Sequence, residues 1–184
     1  MVLPILKRIG IGVGAATLLV VAVGLFLPRT WSVSRDEVIQ VEPARVHELC
    51  NDLQQWPAWT PWLQADPELQ ITLGPVTSGA GAHQSWQGKD GAGELTFTRS
   101  DPAWGVAYDI AFVDRGTRAA CTMVYGPGPV GGTSITWTMS GDHGWNVMDR
   151  YLGLLMDPLL GPMFEDGLER LKLVAEDRAP GVDE

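Results

Sequence analysis

The chain has 184 residues, 45% of them apolar and 19% charged, which is room for one domain with a real core and too rich in apolar residues for a disordered tail. No repeat of about 20 to 50 residues runs through it. Its 22 acidic and 13 basic side chains are unevenly placed, because Lys7, Arg8 and Arg29 flank the first apolar run and the first acid is Asp36; from Thr30 onward ten basic residues face all 22 acids. So anionic a body repels phosphate backbones and acidic headgroups, and no nucleic-acid partner or polybasic membrane adhesion is expected.

Ile9 to Leu27 is a run of 19 residues without a charge. At about 1.5 Å per residue it can cross a hydrocarbon core of about 30 Å. Residues 1–29 are therefore read as a single-pass N-terminal membrane anchor. A cleaved signal peptide is the main rival, with Ala22-Val23-Gly24 as a small-residue site, but the run continues through Leu25, Phe26 and Leu27, beyond the usual apolar region of about 7 to 15 residues. A buried core helix is the third reading. Basic residues lie on both sides of the span, so charge bias decides its direction only weakly. The rest of the chain is expected outside the cytoplasm, on the periplasmic side.

After a short linker, Ser34 to Glu42 reads as a strand with Ile39 and Val41 on one face. Pro43 suits a first helical turn, and Val46, Leu49, Cys50 and Leu53 follow at helical spacing, which predicts a short amphipathic helix over Pro43 to Leu53. Trp56-Pro57-Ala58-Trp59-Thr60-Pro61-Trp62 then puts three indoles in seven residues, with two prolines limiting regular helix. From Leu69 to Ser140 the period changes to two: Leu95 and Phe97, then Val106, Tyr108, Ile110 and Phe112, then Cys121, Met123 and Tyr125, then Ile135, Trp137 and Met139 each share a face. This is the pattern of one antiparallel sheet with a single wet face, of seven strands counting the first.

The last element is a helix over Trp145 to about Glu176, whose apolar residues recur at three and four from Met148 to Leu171. Gly161-Pro162 predicts a kink or restart inside it. Glu165, Asp166 and Glu169 form its polar side and read as a wet face. The order is α+β, and the closing helix is the only element long enough to cover the sheet.

This order, with Trp56-Pro-Ala-Trp-Thr-Pro-Trp62, the strand end Ile135-Thr-Trp-Thr-Met-Ser-Gly-Asp142 and the helix Gly161-Pro-Met-Phe-Glu-Asp-Gly-Leu-Glu-Arg-Leu-Lys172, resembles the polyketide cyclase/dehydrase and lipid-transport branch of the SRPBCC (START/Bet v 1-like) superfamily. The likeness covers about Trp31 to Glu176. It departs at His47, where such proteins often carry an aromatic residue. The resemblance implies a helix-grip fold, a seven-stranded antiparallel sheet wrapped around a long C-terminal helix, with a cavity between them. The helix-grip domain is assigned to residues 30–178 and a flexible tail to 179–184.

Catalytic signatures are absent from the sequence: there is no G-x-S-x-G, H-E-x-x-H, P-loop or dinucleotide fingerprint. His47 and Cys50 at i and i+3 make half a metal site without a second pair, and Asp142-His143 reads as a solvated turn rather than an acid/base pair. Cys50 and Cys121 read as buried free thiols. No cofactor and no metal are expected. The apolar constellation is more informative. Trp86, Phe97, Tyr108, Phe112, Met123 and Tyr125 should point into the space between sheet and helix, joined by Trp137, Met156, Met163 and Phe164. Such a stripe is solid core in most folds; with the resemblance it becomes the candidate lining of a ligand cavity. Tyr108, Tyr125 and the indole N–H of Trp86 or Trp137 would be its polar handles.

The function expected is binding or transfer of a hydrophobic small molecule or lipid by a membrane-tethered domain. The alternatives are a cyclase, aromatase or dehydrase using a tyrosine or histidine for proton transfer, and a filled-core interaction module presenting Trp56, Trp59 and Trp62 as an exposed platform.

Overall fold

The computed structural model describes residues 2–129 and 131–177, with side chains from residue 12 onward. The expected tail over 179–184 lies outside the described residues. A helix, α1 (Val2–Phe26), precedes β1 (Thr30–Ile39), α2 (Pro43–Asn51), a 3₁₀ turn (Trp56–Ala58) and α3 (Trp62–Ala65). Then come β2 (Gln70–Leu73), β3 (His83–Gly88), β4 (Gly91–Asp101), β5 (Gly105–Phe112), β6 (Thr117–Pro127) and β7 (Thr133–Asp142). Two helices close the chain, α4 (Val147–Gly153) and α5 (Met156–Asp177). Among the described residues no helix is long and apolar enough to cross a membrane. Of the expected span, residues 9–11 lie outside the described side chains.

The strands form one antiparallel seven-stranded sheet in the order β1-β7-β6-β5-β4-β3-β2, a meander whose last strand returns to pair with the first. Alternation selects the inner face as the sequence predicts: Leu95, Phe97, Val106, Tyr108, Cys121, Met123, Ile135 and Trp137 are all buried. Against them α5 sets Phe164, Leu168, Leu171 and Ala175, spaced four, three and four. The Phe164 ring stacks on Trp137, centroids 4.2 Å apart and planes within 2°.

Four expectations need correction. The first strand begins four residues earlier and ends at Ile39, because pairing with β7 from Thr30↔Asp142 to Ile39↔Thr133 fixes it. Its inner face is partly ionic: Arg35, with the parity of Val33 and Ile39, reaches Asp157 at 2.8 Å and Glu165 at 2.6 Å on α5. Glu165 is therefore a clasp as well as a wet residue, and two turns on Lys172 reaches Glu37 of β1 at 2.9 Å. A Cβ at Gly161 would collide with the Arg35 guanidinium, so glycine is what lets the strand's arginine lie across the helix. The helix break falls at Leu154–Leu155, where the N–H groups turn back three residues to Tyr151 and Leu152. Pro162 stays inside α5. Both it and Pro158, whose carbonyl its missing N–H leaves unpaired, are exposed, so water can bond that carbonyl. Finally, the tryptophans are not a platform. Trp56 and Trp59 are buried, and their indoles donate to the carbonyls of Cys50 (3.0 Å) and Leu49 (3.2 Å). Those carbonyls end α2 and have no partner inside it. Each buried indole removes about 150–250 Å² from water, roughly 4–6 kcal/mol at 25 cal/mol per Å² as an upper bound, which favours burial over display.

Candidate ligand cavity

The ionic clasps hold α5 to β1, at one side of the sheet, and β5 to β2 lie toward the other side. A cavity of about 330 Å³ lies between them. Its helix wall is Leu160, Met163 and Phe164, and its sheet wall includes Tyr108, Ile110 and Phe112, consecutive inward residues of β5. The far wall is Trp86. A Cβ at Gly93, its partner on β4, would collide with the Trp86 indole, so that glycine lets the ring lie flat along the sheet and meet Phe112 edge-on at 6.1 Å. Trp62 closes the roof. The segment after α3 is stapled over the β3–β4 turn by Asp66, whose carboxylate accepts the Lys89 N–H at 2.9 Å.

Of the ten residues expected in the lining, Trp86, Tyr108, Phe112, Met163 and Phe164 lie in this wall. Phe97, Met123, Tyr125, Trp137 and Met156 do not. The reason is that α2 and its two capping indoles fill one half of the concave face. Phe97 packs on Trp56 at 5.7 Å, and Tyr125 lies edge-on to His47 of α2 at 5.9 Å. Met123 is fully buried opposite Trp137. Trp137 is enclosed by Phe164, Trp59 and Trp62. Met156, the first residue of α5, is half-buried and packs on the core outside the cavity wall. Sequence reasoning missed Trp62, Leu160 and Gln84. The signal for Gln84 was parity, since it shares a strand face with Trp86.

The polar inventory also shifts. The Tyr108 hydroxyl accepts the Trp137 indole N–H at 2.9 Å and is hydrogen-bonded to Cys121. Burial pushes its pKa well above the ordinary tyrosine value. Tyr125 is raised likewise by burial, with its hydroxyl 3.4 Å from His47 Nδ1. Both expected tyrosine handles, and the Trp137 indole N–H, are thus engaged within the protein. Gln84, buried in the wall, instead offers an amide that both donates and accepts. Exposed Asp90, Asp114 and Arg115 form a charged rim.

None of the three histidines lines the cavity. His47, on the buried face of α2, lies beside Tyr125 and Ser100, and burial lowers its pKa. His83 meets Thr96 at 3.0 Å, and His143 lies near Trp31. Asp142 pairs with Arg29 and accepts the Gly144 N–H, as a turn residue does. Cys50 and Cys121 are free and buried, and burial pushes each thiol up to about 12. Among the described residues no three His, Cys, Asp or Glu side chains converge as metal ligands would.

A curved antiparallel sheet gripping a long C-terminal helix, with an apolar cavity left between them, defines a helix-grip domain. Residues 30–176 match the family described as polyketide cyclase / dehydrase and lipid transport, and the chain belongs to that family. Solved structures share the fold at low identity. A protein of unknown function from Staphylococcus aureus superposes with a TM-score of 0.60 at 12% identity, over 80% of this chain and 94% of its own. Ara h 8.0201 does so with 0.55 at 12%, over 81% and 99%. The di-domain ARO/CYC protein StfQ of the steffimycin biosynthetic pathway gives 0.59 at 10%, over 81% of this chain and 51% of its own. No curated protein sequence matches the chain.

Proposed function

We propose that the protein binds an apolar small molecule or lipid in the cavity beside α5, and that α1 tethers it to a membrane with the domain on the periplasmic side. The observation that carries this reading is the cavity itself: about 330 Å³, walled by aromatic and aliphatic side chains, with Gln84 as an internal polar group. That volume is at the lower end of the range of about 300–1,000 Å³ typical of small-molecule sites. A ligand with one polar group on an apolar body fits this lining, since the amide can fix its orientation while the rings supply contact. Tethering serves such a ligand because a bilayer concentrates it.

The similarity to an ARO/CYC protein keeps a cyclase or dehydrase as the second reading. Such an enzyme needs an acid and a base facing the substrate. The described lining holds no histidine, its tyrosine hydroxyl is engaged, Asp66 and Asp114 already accept backbone N–H groups and Asp90 stands exposed on the rim, which supports binding over proton transfer. The test is native mass spectrometry of the gently extracted full chain. A bound apolar species released only on unfolding is the expected result. An empty chain that converts a polyketide-like substrate, with product formation lost in Gln84→Leu, would favour the enzyme.

A further inference from the structure

Beyond β7 the chain exposes apolar side chains where a soluble surface would carry charges. Met148 is 54% exposed, Leu152 50%, Leu155 51% and Leu159 59%, and Trp145 just before them is 82% exposed. Met148 and Leu152, four apart, share a face of α4, and Leu155 and Leu159, four apart beyond the helix break, share a face at the start of α5. Soluble monomers rarely leave so much apolar surface uncovered.

Another face of α4 holds α1. The buried guanidinium of Arg150 donates through Nη1 to the carbonyls of Leu25 (3.0 Å) and Leu27 (3.4 Å), and Tyr151 donates its hydroxyl to the carbonyl of Val20 at 2.6 Å. Carbonyls at a helix end lack partners inside it, and a cation there also meets the negative end of the helix dipole. The two helices touch because α1 has glycine at the contact: a Cβ on Gly24 would strike Val147 and Tyr151. So α4 is fixed beside the last turns of α1, whose own Leu18, Leu19, Leu25 and Phe26 are exposed.

The sheet register places the cavity at this same end. The pairs Thr30↔Asp142, Ala111↔Arg118 and Glu94↔Ala111 bring the start of β1, the β5–β6 turn and the β3–β4 turn to one edge of the meander. Those two turns carry Asp114, Arg115 and Asp90, the charged rim of the cavity.

We propose that the exposed apolar residues Met148, Leu152, Leu155 and Leu159, with Trp145 just before them, dock on the lipid surface from which α1 emerges, and so hold the cavity rim against the bilayer. This rests on reading α1 as a membrane span. The occupant is lipid because α4 is fastened to the last turns of α1, which brings its exposed apolar residues to the end of the span where Leu25 and Phe26 are exposed too. Trp145, with Arg29 5.0 Å from its ring, is the kind of aromatic–cation pair that settles at a headgroup boundary. With a chain charge of −9, docking is driven by apolar contact and does not require anionic lipid.

The experiment is site-directed spin labelling of the full chain in phosphatidylcholine vesicles. Cys50 and Cys121 are buried, so a cysteine added at an exposed position is the one that reacts. Leu152→Cys is read beside Leu19→Cys on α1 and Thr98→Cys on the outer face of β4, by collision with oxygen against an aqueous nickel complex. Labels at 152 and 19 should both favour oxygen, while the label at 98 favours nickel; Leu155→Cys should repeat the reading at 152. A lipid-like 19 with an aqueous 152 overturns the docking and leaves the span standing. An aqueous 19 refutes the span, and if 152 is aqueous as well the docking falls with it. Dipolar broadening between labels at 152 would assign these residues to a second copy of the chain and also overturn the proposal.

Discussion

Replacing Met163 by tryptophan separates a cavity from a solid core. Met163 stands on the helix wall of a space of about 330 Å³, and an indole turned into that space meets void rather than packed atoms. In a filled core the same enlargement costs about 1–3 kcal/mol. For a chain of this size each kcal/mol moves the melting temperature by about 2–4 °C, so overpacking would lower it by roughly 2–12 °C. In the cavity the melt should hold. Ligand affinity should not: if the indole displaces two or three buried methylenes at about 0.8 kcal/mol each, binding weakens by about 1.6–2.4 kcal/mol, roughly fifteen- to sixty-fold. The assay is uptake of a neutral apolar fluorophore by residues 30–177, with melting followed by circular dichroism. Met123→Trp is the control, because Met123 is fully buried outside the cavity and its enlargement should lower the melt. The reasoning fails if the parent takes up no probe, or if Met163→Trp melts as low as Met123→Trp.

Three further outcomes are expected. Among the described residues none of α1 belongs to the buried core cluster, so residues 30–177 should fold and stay in solution, while the full chain resists extraction by carbonate; release of the intact chain by that wash would refute the anchor. His47 has a lowered pKa because burial disfavours its charged form, so its neutral form's contribution is complete above the ordinary value of 6.5 and declines as pH falls through the depressed one. The melting temperature should therefore drop on acidification below about pH 6.5, and His47→Gln should flatten that slope; an unchanged slope would locate the titration elsewhere. Gly161→Ala should displace the Arg35 guanidinium and lower the melt, and Arg35→Ala should make the second change nearly silent in a double-mutant cycle; full additivity would show that the two do not act through one contact.

Arg35 and its acids also mark where sequence reading stops. Arg35 has the parity of Ile39, but its partners Asp157 and Glu165 are 122 and 130 residues away, and no local period announces them. The cavity lining divides for the same reason. Parity tells which face of a strand Phe97, Met123 or Trp86 occupies. It does not tell which part of the inner face another element will cover. That was decided by α2, whose unpaired end carbonyls draw in Trp56 and Trp59 and fill the half of the face that holds Phe97, Met123 and Tyr125. What the sequence determined was what repeats locally: strand alternation from Leu95 to Met139, the α5 stripe of Phe164, Leu168 and Leu171, and a motif order sufficient to identify the family. The cavity's position and the clamp of Arg150 on α1 were decided only in three dimensions, because each depends on which distant surface satisfies an unpaired group or fills a space.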